Sequence, residues 1–455
     1  MPAVRLVPEL VLTPAGWQRD LAVAIADGRI ESVRAAASPR PGDVPLPGRA
    51  LLPGTVNTHC HAFQSLLRGL GDDLDFMGWR DRVLYPFSAR LDRAALRTGA
   101  AFAFAEMLLQ GVTTCVDFFY IHDGGNENAE AVIEAARAVG IRLVLARGMY
   151  DWEGAPGRFR ETPAEAARRT RELVARHRAD ATVTVQPAPH SPHGASPAML
   201  RAGFEVAEAE NTVFHVHVAE GRYEGERTLR EHGATPVRHL DRLGVLGPRT
   251  VAVHCVWLDD AEIRLMGERR VAVAYCPSSN MFLGDGITRL PELLRAGVRV
   301  GLGSDGGCTN NRLSVFEEMR MASLLARVRL LDGAALDAAT AFSLGTASGA
   351  SILGLDAGHI AAGALADLVA VDLGHPSLHP PTDLLRSVVY AMSPQAVTDV
   401  WVHGGRVVER GRLARTSLDD ILAAVRAATR DFAHEAPGGS IASRFETRGG
   451  ATAPE

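Results

Sequence analysis

The chain has 455 residues, 47% of them hydrophobic, which suits one large barrel with an accessory domain or two to three smaller domains. A formal net charge of −5 argues against a chain built to bind nucleic acid or an anionic membrane. All 48 basic residues are arginine, so a lysine Schiff base, a pyridoxal-phosphate lysine, a P-loop lysine and a carboxylated-lysine metal bridge are excluded.

The opening stretch, MPAVRLVPELVLTPAG, lacks the basic-then-apolar pattern of a signal peptide, and no apolar run is long enough to span a bilayer. The five cysteines (Cys60, Cys115, Cys255, Cys276 and Cys308) are widely spaced and form no C-x-x-C, so reduced thiols in a cytoplasmic protein are expected. Residues 4–50 read as short β-strands, VRLVPELVL and LAVAIADGRIESV, with a turn at Asp27-Gly28. Strand-like DLVAVD and DVWVHGGRVVER return at 367–372 and 399–410, the second with Gly404-Gly405 as a tight turn. Two β segments flanking the middle predict one discontinuous β-sandwich built from both chain ends, against the plainer view of two unrelated decorations.

Between them, strand and helix patterns alternate eight times. The strands are TVNTHCH, VTTCVDFF, RLVLARGM, TVTVQPAPH, TVFHVHVAE, TVAVHCVW, VAVAYCPSS and VRVGLGSDG. Thr162, Pro163 and Glu165 form a capping-box signature that opens one intervening helix. Eight β–α units in series predict an α/β fold, a (β/α)8 TIM barrel, rather than a doubly wound sheet. The expected units are residues 1–52 and 363–415 for the sandwich and 53–362 for the barrel. Residues 416–455 are expected to form an amphipathic helix and a small, polar tail, either mobile or an arm on a neighbouring subunit.

Chemistry in such a barrel sits at the C-terminal ends of the strands. Those ends carry His59 and His61, His190, His217 with Glu220, His254, and Asp305. Alternation along a strand points His59 and His61 the same way, and two imidazoles on one face can grip one metal ion. One H-x-H alone reads as two surface histidines; several polar strand ends converging on one face do not. His59, His61, His217 and Asp305 make a mixed nitrogen and oxygen set suited to zinc, with iron or manganese as alternatives. Such an ion lowers the pKa of a bound water toward roughly 7. Glu220 is placed to move the water proton, and His254 to orient the water or stabilise developing charge. Glu220, His254 and Asp305 are therefore the catalytic candidates. His215 shares a face with His217 and is a rival ligand, although His217 lies nearer the strand end. With no bridging lysine, one metal per subunit is expected. The run Gly301-Leu-Gly303-Ser-Asp305-Gly306 matches G-x-G-x-x-G, but it follows the eighth strand, where a dinucleotide site would use the first βαβ unit. Its glycines are expected to let backbone pass close to the metal pocket.

N-T-H-C-H, H-V-H-V-A-E, A-V-H-C-V and G-S-D-G closely resemble the amidohydrolase superfamily. Within it the chain is similar to the aminohydrolase branch: S-adenosylhomocysteine/methylthioadenosine deaminases, guanine-type deaminases and triazine hydrolases. T-A-S-G-A-S-I-L-G-L followed by I-A-A-G-A-L-A-D-L-V resembles that branch's return from barrel to sandwich. The resemblance implies a single zinc, sometimes iron, on His59, His61, His217 and Asp305, with Glu220 and His254 handling protons. P-A-P-H-S-P resembles the adenosine-type deaminases, which implies that His190 faces the substrate and that Arg147 and Arg158 meet the tail of longer substrates. That group's ribose-binding glutamate aligns with Ser88, which departs from the pattern. H-A-F-Q at 61–64, W-R at 79–80, F-F-Y-I-H-D at 118–123 and L-G-D-G-I at 283–287 resemble formiminoglutamate deiminases, implying substrate contacts from Gln64, Arg80 and Tyr120.

The expected activity is a metal-dependent deaminase that releases ammonia from an amidine-like carbon in a small heterocycle: a purine, pterin or modified nucleoside. An N-formimino-L-glutamate-type deiminase is the alternative, and a dechlorinase or amidase of the triazine hydrolase type a further one. A catalytically dead scaffold would have a broken ligand set, and a nucleotide-binding oxidoreductase leaves the histidines unexplained. A small-molecule substrate and a homo-oligomer are expected, with no nucleic-acid or membrane partner.

Overall fold

The computed structural model describes residues 4–36 and 40–432. Eight parallel strands form the barrel: Thr55–Cys60, Val112–Phe119, Arg142–Met149, Val183–Pro189, Phe214–Val218, Thr250–His254, Ala272–Tyr275 and Arg299–Leu302. They pair in register as two four-stranded halves. The halves meet through backbone hydrogen bonds, His217 N–H to the His190 carbonyl (2.9 Å) and Asp305 N–H to the His59 carbonyl (3.0 Å). Most strand residues are buried on both faces, one inside the barrel and one beneath the helices, which is why these strands read as near-continuous apolar runs.

The helices start where the sequence signals them. Thr162 and Glu165 cap Pro163–His177 reciprocally, and Asp92, Ser196 and Asp259 each accept from a backbone N–H of the helix that follows. The apolar faces of these helices pack with the barrel strands into one core.

The remaining strands form a nine-stranded sheet from both chain ends. Its junction is Asp43–Pro53 antiparallel to Leu368–Asp372. A separate core of Leu6, Val23, Ile25, Leu51, Leu368 and Trp401 fills it, which makes this the predicted accessory β-sandwich rather than two decorations. The hairpin turn lies one residue earlier than expected: Val402 pairs with Gly405, leaving His403 and Gly404 as the two-residue loop, both at positive φ (50° and 72°). A primed turn needs left-handed residues at both central positions, and it places Gly405 in the strand. Arg142, at the start of the third barrel strand, bonds Asp367 twice in a buried pair (2.6 and 3.1 Å) and so ties barrel to sandwich.

The C-terminal helix is Leu418–Ala428, while the tail predicted beyond it lies outside the described residues. Among the described residues, no helix is long and apolar enough to cross a membrane.

Candidate metal centre and active site

The first, fifth, sixth and eighth barrel strands deliver their terminal side chains to one point. Ligand atoms of His59, His61 and His217 lie within 4.8 Å of one another, as do those of His59, His254 and Asp305. The His61 Nδ1 faces the Phe118 carbonyl at 2.6 Å and the His217 Nδ1 faces the His190 carbonyl at 2.8 Å. A carbonyl only accepts, so each Nδ1 carries the proton and each Nε2 turns a lone pair inward. His59 is fully buried, and neither of its nitrogens has a hydrogen-bond partner. Its Nε2 is 3.4 Å from the Asp305 Oδ1, and that of His61 is 3.6 Å away. Orphaned buried nitrogens are costly, and a cation held by His59, His61, His217 and Asp305 satisfies the His59 Nε2. The residues therefore fit a divalent metal.

Neighbouring groups hold this set in place. Asp305 accepts from the Ser279 hydroxyl at its Oδ2 (2.6 Å) and from the Gly306 N–H at its Oδ1 (2.8 Å). A Cβ on Gly303 would lie 2.9 Å from the His59 backbone nitrogen, and one on Gly306 2.0 Å from the Gln64 side chain. The glycine run thus serves close backbone approach to the site, as the sequence suggested. His254 and Asp305 sit at φ 69° and 60°, a left-handed conformation that side chains avoid unless their surroundings enforce it.

Burial is the largest influence on the charges here. It lowers His61 to about 4, with the neighbouring His59 adding to it, and lowers His254 to about 3. Both are neutral near pH 7, the state in which an imidazole ligates metal. Burial lifts the Glu220 carboxyl well above its ordinary range, reinforced by Asp285, Asp305 and Glu224. Asp305 is opposite: burial raises it, but the close approach of His59 and the fields of His61 and His254 hold it well below the usual range.

Glu220 Oε1 lies 3.4 Å from His254 Nε2. The Asn280 amide meets the His254 Nδ1 at 3.0 Å, and its donation there leaves the ring proton on Nε2, toward Glu220. A pocket opens over this pair. Gln64, Arg80, Tyr120 and His190 line it, and the Gln64 amide donates to the Tyr120 hydroxyl (2.9 Å). Arg80 stands over the rings of Tyr85 (5.5 Å) and Trp152 (5.6 Å), in a wide π-helical turn, Arg80–Leu84. A larger cavity of about 810 Å³ opens at the opposite end of the barrel, among Val183, Arg249 and Arg299, and contains none of these groups.

Two expectations are corrected, and one choice left open is settled. Arg147 is fully buried and clamps Glu161 with two bonds (2.8 and 2.9 Å), a partner the sequence did not reveal. Arg158 is spent on the Ser88 and Leu91 carbonyls and the Asp123 carboxylate. Neither lines the pocket. The rivalry between His215 and His217 is resolved for His217, because the His215 Nε2 bonds Gln186 (2.7 Å) deeper in the barrel.

Sequence reasoning missed the aromatic wall of Tyr85, Tyr150, Trp152 and Phe159, together with His193, Ser279 and Asn280. C-P-S-S-N after the seventh strand was a legible signal for the last two. The aromatics come from loops and a short helix, where no periodicity marks them.

The fold and the cluster define a metal-dependent hydrolase on a (β/α)8 barrel. The chain belongs to the amidohydrolase family, whose profile matches residues 50–408. Residues 9–45 also match the N-terminal domain of formimidoylglutamate deiminase HutF. The 5'-deoxyadenosine deaminase of Methanothermobacter thermautotrophicus is 40% identical, over 89% of this chain and 93% of that protein. The 5-methylthioadenosine/S-adenosylhomocysteine deaminase of Syntrophobacter fumaroxidans is 36% identical, over 92% and 95%. Among solved structures, an adenosine deaminase from Xanthomonas campestris with bound zinc superposes with a TM-score of 0.87 at 32% identity, covering 94% of this chain and 98% of that one. The chain is accordingly a deaminase-type hydrolase of C–N bonds.

Proposed function

We propose that the chain is a mononuclear zinc deaminase of 6-aminopurine nucleosides, releasing ammonia. The observation that carries this is the Glu220–His254 pair, 3.4 Å apart, facing the histidine–aspartate cluster beneath an aromatic-walled pocket. His59, His61, His217 and Asp305 would hold the metal, which would supply an acidified water at neutral pH. Glu220, raised by burial, is the group that would carry a proton to the substrate, first to the ring nitrogen beside the attacked carbon and then to the departing amine. His254 donates from Nε2 to the oxygen that gains charge, its tautomer fixed by Asn280. His190 and the aromatic wall hold the planar base and exclude water. Names of relatives at 36–40% identity support a nucleoside over a free base.

A second reading, a formimino-amino-acid deiminase, draws on the match of residues 9–45 and on Arg80, a guanidinium suited to a carboxylate at the pocket wall. The test is ammonia release by zinc-loaded protein from adenosine, 5'-deoxyadenosine, adenine, guanine and formiminoglutamate. Turnover of adenine nucleosides, abolished by Glu220→Gln, is expected. Release from formiminoglutamate alone overturns the first reading in favour of the second.

A further inference from the structure

Ser88, which the sequence resemblance aligns with a ribose-binding glutamate, is buried, and its hydroxyl donates to the Tyr85 carbonyl (3.2 Å). It does not line the pocket. The carboxylates that do, Glu220 and Asp305, belong to the metal site. Elsewhere on the wall, Arg80 and Trp152 only donate, the Gln64 amide N–H donates to Tyr120, Tyr85 meets Tyr150 (3.4 Å), and the Thr309 hydroxyl donates to the Gly306 carbonyl (3.0 Å). The sugar hydroxyls of a nucleoside in this pocket can each donate to an acceptor on the wall.

His193 is placed to be that acceptor. Its ring lies one step beyond His190, 5.9 Å between centroids, and His190 in turn is 4.8 Å from the metal-facing His217. Behind it sits Glu224, fully buried, with its Oε1 3.8 Å from the His193 Nδ1. Neither of those two atoms has a hydrogen-bond partner. The other carboxylate oxygen, Oε2, accepts from the Glu220 backbone N–H at 2.9 Å, so Glu224 is anchored and cannot turn away. One water, or a small rotation of the imidazole, closes the gap. The carboxylate then accepts a hydrogen bond from the Nδ1–H, which keeps the ring proton on Nδ1 and leaves the Nε2 lone pair for the pocket.

We propose that His193, oriented by Glu224, accepts a hydrogen bond from a sugar hydroxyl of the substrate and so sets a preference for ribonucleosides. His193 is a specificity residue and Glu224 a positioning residue. The inference rests on the nucleoside-deaminase reading. It adds the part of the substrate recognised away from the reacting carbon.

The test is kcat/KM of the zinc-loaded enzyme for adenosine against its 2'-deoxy, 3'-deoxy and matching deoxyfluoro analogues. Fluorine fills the hydroxyl's place but cannot donate. The wild type is expected to favour adenosine by about tenfold or more over one deoxy analogue, and to treat the fluoro analogue like the deoxy one. His193→Phe keeps an aromatic ring in place and is expected to erase that ratio by raising KM while kcat stays within about twofold. Glu224→Gln is expected to shrink the ratio too, which a purely structural role would not do. If His193→Phe turns over adenosine with the ratio intact, or if the fluoro analogue matches adenosine, the inference falls and the nucleoside reading stands. Should His193→Phe fail to fold, the fluoro comparison on the wild type and Glu224→Gln decide the matter. If no aminopurine releases ammonia, both fall.

Discussion

The backbone N–H of Asp305 donates to the carbonyl of His59 at 3.0 Å, so two metal-facing residues also make the hydrogen bond that joins the last barrel strand to the first. At the opposite seam the N–H of metal-facing His217 reaches the carbonyl of pocket-lining His190 at 2.9 Å. Closing the barrel and assembling the site are thus one event. Gly303 permits the first seam, because a Cβ there would meet His59 backbone atoms at 2.9 to 3.0 Å. Gly303→Ala is expected to cost about 1–3 kcal/mol and to weaken metal retention. Denaturant unfolding and metal analysis after dialysis check it; wild-type values for both would refute the coupling.

The two histidines of the fifth strand should separate cleanly. His217→Asn is expected to lose bound metal and at least about a hundredfold in activity. His215→Phe is expected to keep the metal but lose about 1–3 kcal/mol, since it leaves the buried Gln186 amide without its partner. Metal content beside thermal melting reads both.

Arg147 is expected to act on stability alone. Its ion pair with Glu161 is fully buried, so Arg147→Met strands a carboxylate that keeps only Arg169 (2.7 Å). A loss of about 3–5 kcal/mol is expected, with KM within about twofold of wild type. A large KM change in a stably folded variant would return Arg147 to the substrate site.

Glu318 gives the fold a pH dependence. It is fully enclosed, and burial raises its carboxyl to about 8 even though it accepts from the Ser278 N–H (3.0 Å) and the Asn310 amide (2.9 Å). The folded state therefore holds a proton that the unfolded chain releases near the ordinary glutamate value. This contribution is fully present below about pH 4.5 and is lost as pH rises toward about 8. Glu318→Gln carries no such proton, so its melting temperature should fall less steeply than wild type between pH 5 and 8. Parallel slopes would show that Glu318 is not the group responsible.

Much of the site was legible because its chemistry sits at strand ends. Alternation put His59 and His61 on one face, and apolar runs ending in His217, His254 and Asp305 marked the rest. The arginines were misjudged for a physical reason. A guanidinium shows in the sequence, but its partner does not: Glu161 lies fourteen residues from Arg147, and Asp123 thirty-five from Arg158. The aromatic wall was invisible because it is gathered from separate loops and a short helix.

The sequence by itself determined the eight β–α units, the sandwich shared between the chain ends and the residues able to bind a metal. Periodicity, capping and side-chain chemistry are local properties, and they survive without knowledge of the fold. Only the tertiary structure decided which candidates meet. His215 and His217 share a face, yet barrel closure sets one against Gln186 and the other against His59 and His61. The same closure set His193 before Glu224, thirty-one residues apart in the chain. Such pairings depend on strand stagger and on how deep each side chain lies, and no short stretch of sequence records either.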